Sequence, residues 1–145
     1  MQTFLPYENF VATAEVLDNK RLGKQRVETL QIIKALTTEH GGWKTHPAVK
    51  MWRGHLYFLR VYQESICNEW INVRGYKDTC LEKSLILFDE HMKTNDDDEL
   101  LRPSWLGNEA LHRSHRSNLI RKDAEFYAPR FEDGLSAYLP YVWPV

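Results

Sequence analysis

Glu28 stands close to Arg21, Lys24 and Gln25 in the stretch LDNKRLGKQRVETLQIIKAL, which runs from Leu17 to Leu36. At helical spacing these polar residues lie away from a stripe formed by Leu22, Leu30, Ile33 and Leu36. Cations hold a polyanion, and a carboxylate among them can move protons or steady positive charge on it. The combination suggests an enzyme acting on nucleic acid. An i,i+4 ion pair between Lys24 and Glu28, worth roughly a few tenths of a kcal/mol, is the plainer explanation that periodicity alone favours.

Arg26 falls inside the apolar arc, between Leu30 and Ile33 on the helical projection. An inward-pointing arginine needs an acid or a carbonyl, because an unpaired buried charge is costly. A buried ion pair and a functional role weigh about equally here.

A second polar run holds Arg113, Arg116, Arg121 and Lys122, with His112 and His115 interleaved. The histidines are spaced to share a helix face, but the arginines around them oppose a cation. A phosphate-facing or solvated helix is the better reading, and no metal site is expected. Ser114 and Ser117 lack a nucleophile elbow. Gly41-Gly42 is not followed by the residues of a nucleotide-binding loop, so ATP use is not indicated.

The elements that must position these groups are mostly helical. Thr45-His46-Pro47 reads as a helix start, with Thr or His as cap and Pro in the first turn. Val49, Trp52, Leu56, Leu59 and Ile66 then mark one long helix from Val49 to Trp70. Gly75 punctuates the following connection. Thr79 and Glu82 form a capping-box pattern that opens a third helix through about Met92. Lys93 to Glu99 reads as an exposed acidic loop, and Asn108 caps a fourth helix over 109–122. The tail GLSAYLPYVWPV looks extended and docked on the body. Trp43, Trp52, Trp70 and Trp105 are expected in the core. Tail aromatics Tyr138, Tyr141 and Trp143 are candidates for base stacking, although packing is favoured.

Composition sets the frame. A chain of 145 residues with 43% hydrophobic and 27% charged residues suits one compact all-α domain, spanning 1–145, with an irregular aromatic C-terminal tail. A formal net charge of -1 argues against a generally basic protein. However, the acidic block Asp96–Glu99 can offset a basic face elsewhere. No apolar run is long enough to span a bilayer and no secretory leader is evident, so cytoplasmic residence is the expectation. Cys67 and Cys80 suggest buried thiols rather than a disulfide.

Several segments, taken in order, resemble the pyrimidine-dimer DNA glycosylase/AP lyase family. They are the extreme N-terminus, the Leu-rich helix carrying Glu28, GWKTHPAVKMW, and the helix ending in NEWINVRGYKD. The resemblance covers roughly the first 80 residues and is weaker beyond them. It implies a mainly helical fold with no metal or other cofactor. It also implies that the N-terminal α-amino group is the nucleophile, assisted by a glutamate on the first long helix. Near neutrality α-amines are more readily unprotonated than lysine side chains, which suits that role. Gln2 is bulky and should leave Met1 in place, so the implied catalytic pair is Met1 and Glu28. Gln31 stands where the family has a phosphate-contacting arginine, a task Lys24 or Arg26 can take over.

The expected activity is DNA repair: a glycosylase with lyase action on pyrimidine-dimer-like or abasic sites. The protein is expected to work as a monomer on double-stranded DNA. Arg21, Lys24, Arg26, His46, Arg53, Arg113 and Arg116 are the candidate DNA-binding residues. The alternatives are a glycosylase for a modified base, a silent DNA-binding module of the same fold, and a protein-interaction domain.

Overall fold

The computed structural model describes residues 1–39, 42–94 and 100–144, and all regular structure among them is helical. The acidic block Asp96–Glu99 and Gly41 lie outside the described residues.

Helix α1, Phe10–Val16, was not foreshadowed by the sequence pattern. It is opened by Asn9, whose side chain accepts from Ala12 N at 2.9 Å. Helix α2, Asn19–Thr37, buries Leu22, Thr29, Leu30, Ile32 and Ile33 and carries Glu28 on its other side. The predicted helix over 49–70 is two helices. The first, α3, is a single turn, Pro47–Lys50, capped by the His46 ring through an Ala48 N–H at 3.0 Å. The chain then turns through Gly54 at φ 84° before α4, Leu56–Asn68. Apolar spacing carried across the break because Val49, Trp52, Leu56 and Leu59 all face the core. A π-helical turn, Glu69–Val73, ends α4.

Helix α5, Cys80–Met92, packs on α2 and α4. The Thr79 side chain makes no capping bond. Asp78 supplies it instead, accepting from Leu81 N at 2.8 Å. Helix α6, Glu109–Lys122, is capped by Asn108 as expected. The short α7, Ala124–Tyr127, and a 3-10 turn, Ala128–Arg130, precede the extended tail. Trp52, Tyr62, Leu59 and Ile66 form the centre of the core. Cys67 and Cys80 are buried free thiols.

Candidate active-site cleft

The N-terminal segment is threaded into the protein, and side chains satisfy its backbone. Residues Gln2 to Leu5 are buried without belonging to a helix or strand, so each N–H and C=O needs a partner. On the α2 side, Glu28 Oε2 accepts from Gln2 N at 3.2 Å. Gln25 Nε2 donates to Gln2 O at 2.8 Å and Gln25 Oε1 accepts from Phe4 N at 3.0 Å. The Tyr62 hydroxyl donates to Phe4 O at 2.8 Å, and Trp52 Nε1 donates to Thr3 Oγ1 at 3.0 Å.

Helix α6 closes the segment from the other side. His115 Nδ1 accepts from Leu5 N at 2.9 Å, while His112 Nδ1 lies 2.8 Å from Leu5 O. Gly107 N donates to His112 Nε2, which leaves the proton of a neutral ring on Nδ1, facing Leu5 O. Arg116 donates to Pro6 O at 2.8 Å and pairs with Glu132 and Glu109. The expectation of a phosphate-facing or solvated helix is therefore corrected. His112 and His115 are 2% and 1% exposed and hold the N-terminal segment. Burial pushes the His115 pKa down to about 3, with His112 adding to the effect.

The same helix fixes the tail on its other side. Ser117 and Ser114 hydroxyls accept from Leu139 N and Val142 N at 3.0 and 3.1 Å. Asn118 Nδ2 donates to Leu139 O at 3.0 Å. Tyr141 thereby stands edge-on to His115 at 5.3 Å, with Trp143 beside it.

These constraints leave an open cleft of about 380 Å³. Met1, Gln2 and Phe4 form one wall, Lys20, Arg21, Lys24 and Glu28 another, and Lys122 and Tyr141 complete it. Among the described residues Glu28 bonds to Gln2 N and Gln25 Nε2 and makes no ion pair with Lys24. His46 is not part of this lining but lies close enough to feel the charges of the Met1 α-amine and Glu28. Its pKa is lowered by burial and by the charge of the Met1 α-amine, against an opposing pull from Glu28. Burial raises the Tyr141 phenol, with Arg121 and Gln2 opposing. A lone carboxylate beside an α-amine, ringed by lysines and an arginine, suits a phosphodiester chain with an electrophilic carbon.

A family model described as pyrimidine dimer DNA glycosylase matches residues 1–84. The chain belongs to that family. It is a DNA repair glycosylase at the level the family defines, and its substrate is DNA. No curated protein and no solved structure matches the chain. The matched region holds Met1, Arg21, Lys24, Glu28 and His46, whereas Lys122, Tyr141 and the α6 clamp lie beyond it.

The candidate residues of this glycosylase divide clearly. Met1, Arg21, Lys24 and Glu28 line the cleft, and His46 is near enough to feel the charges of the Met1 α-amine and Glu28. Arg21 is also tied to Asp18 at 3.2 Å. Arg53 is exposed and donates to Lys44 O at 2.8 Å, while Arg113 is exposed on α6. Two expectations are corrected. Arg26 pairs with Asp78 at 2.6 Å and lies 4.4 Å over the Trp70 ring, so the buried ion pair is its role. Arg116 is 6% exposed and committed to Pro6, Glu109 and Glu132, which removes it from a DNA surface.

Lys20 and Lys122 were missed as site residues, whereas Tyr141, raised as a stacking candidate, does line the cleft. The two lysines sat within basic runs in the sequence, but nothing there showed that the runs converge. Trp43 is a further correction: it is 57% exposed rather than core.

Proposed function

We propose that the protein excises a damaged pyrimidine and then cleaves the strand, using the Met1 α-amine as nucleophile and Glu28 as its partner. The observation that carries this reading is the Gln2 N–H to Glu28 bond of 3.2 Å at the mouth of the cationic cleft. That bond holds Glu28 one peptide unit from the α-amine, and the buried segment behind it prevents drift.

The unprotonated amine attacks C1′ as the glycosidic bond breaks, and the base leaves with a proton. The proton that nitrogen releases on attack goes to the departing base; the nitrogen lone pair then expels O4′, which takes a proton from water, and a cationic imine forms. Glu28 stabilises this cation. Removal of a C2′ proton then expels the 3′ oxygen and breaks the strand, and water finally hydrolyses the imine to restore the amine. Glu28 is the base best placed for these transfers. Lys20, Arg21, Lys24 and Lys122 hold flanking phosphates, and the neutral His46 ring spares the amine another positive neighbour. The C1′ carbon is buried in a regular duplex, so the DNA must bend and extrude a nucleotide to reach the cleft.

Glu28→Gln tests the reading. It keeps an acceptor for Gln2 N and removes the charge. Strand cleavage should fall by about a hundredfold or more while duplex binding persists. Wild-type cleavage by this variant would reduce Glu28 to a positioning contact and refute its proposed chemistry.

A further inference from the structure

Trp43 combines three unusual properties. More than half its surface is open to solvent, at 57%. Its backbone sits at φ 71°, a left-handed conformation that a bulky residue adopts only when its surroundings impose it. The surroundings do impose it. Lys44 Nζ donates to Ala35 O at 2.9 Å and to Thr38 O at the end of α2, and Arg53 donates to Lys44 O. Trp43 O accepts from His46 N at 2.9 Å, closing the turn. The indole is thus held out on a pinned loop at the cost of local strain.

The exposed ring is also joined to the cleft. Trp43 meets His46 edge-on at 5.8 Å, and His46 meets Trp143 at 6.1 Å. Trp143 touches Tyr141, which lines the cleft. His46 itself feels the charge of the Met1 amine. This row of rings therefore ends outward in one uncovered aromatic face, with the exposed Arg53 reaching the same turn.

We propose that Trp43 is a base-stacking residue that holds an unstacked nucleobase of the distorted duplex beside the damaged nucleotide. The inference rests on the DNA-cleaving reading above and adds a specificity residue to it. An indole face takes any base, and stacking of one base on an aromatic ring is worth about 5- to 150-fold in affinity. A fixed platform replaces the stacking lost when the nucleotide is extruded. The Arg53 guanidinium lies where it can meet the adjoining phosphate.

The test uses the full chain, an abasic-site duplex carrying 2-aminopurine next to the lesion, and the same abasic strand alone. Trp43→Gly removes the ring and relaxes the backbone, so its melting temperature should equal or exceed that of the wild type. Its affinity for the duplex should fall about tenfold or more, and the change in 2-aminopurine fluorescence on binding should be lost. Borohydride trapping on the single strand should fall by a smaller factor than on the duplex, because its bases need no unstacking and lose only the indole platform. Trp43→Phe should restore most of the duplex affinity. Wild-type duplex affinity and fluorescence change in Trp43→Gly would overturn the proposal. Wild-type protein that binds and unstacks the duplex through Trp43 without ever trapping would instead refute the imine reading and leave the stacking residue in place.

Discussion

Glu28 Oε2 accepts from both Gln2 N and Gln25 Nε2, so the carboxylate assigned the chemistry in the proposed mechanism also fixes the N-terminal segment. Its neighbours at the N-terminus depend on groups that stay neutral, and His115 is the clearest. To accept from Leu5 N its Nδ1 must be unprotonated, and burial lowers its pKa from 6.5 to about 3. The unfolded chain therefore takes up a proton below about pH 6.5 that the folded protein refuses. The stabilising contribution is complete above that pH and is lost as pH falls toward 3, at about 1.4 kcal/mol per pH unit. Denaturant melts between pH 6.5 and 4 should show that slope, on top of any carboxylate contribution. His115→Gln keeps an acceptor and cannot titrate, so the slope should shrink by about that amount. An unchanged slope would mean that His115 does not carry the acid sensitivity.

The helix stripe of α2, the Asn108 cap and the docked tail were all readable from apolar spacing and end residues. The break after α3 was not, because Val49, Trp52 and Leu56 keep helical spacing while the chain turns through Gly54. Helix α6 misled for a different reason. A run of His, Arg, Ser and Asn looks solvated, yet here those side chains bond to the two extended chain segments on either side. Such partners lie more than a hundred residues away in one case, beyond any local pattern. At the packing of α2, Gly23 offers a sharp test. A methyl group there would meet Trp70 Cη2 at 3.0 Å. Trp70 cannot easily yield, being held by its Nε1 bond to Lys77 O and by Arg26 and Tyr76 on its ring. Gly23→Ala should destabilise by about 1 kcal/mol or more by overpacking, although helix propensity alone predicts a gain of similar size. Thermal melts would decide, and a raised melting temperature would show that Trp70 moves aside.

For the whole molecule, a net charge of -1 conceals a cleft walled by Lys20, Arg21, Lys24 and Lys122. Sequence order placed these residues in two separate runs, and only the fold brings them to one surface. Lys122→Ala and Arg116→Ala should therefore behave differently. The first should weaken DNA binding evenly across sequences and flatten the dependence of log K on log salt by about one unit. The second should leave that slope alone but lower stability by about 1–2 kcal/mol, because the buried Pro6 O loses its donor while the exposed Glu109 and Glu132 carboxylates stay solvated. Equal salt slopes for wild type and Lys122→Ala would take Lys122 out of the DNA interface. The central claim is that the cleft works through the α-amine held by this threaded segment. Its most direct test is borohydride trapping on an abasic duplex followed by peptide mapping of the adduct. The account requires the sugar on the α-nitrogen of residue 1 and loss of trapping after selective Nα-acetylation of the folded protein. A crosslink on Lys20, Lys24 or Lys122 that survives acetylation would contradict it.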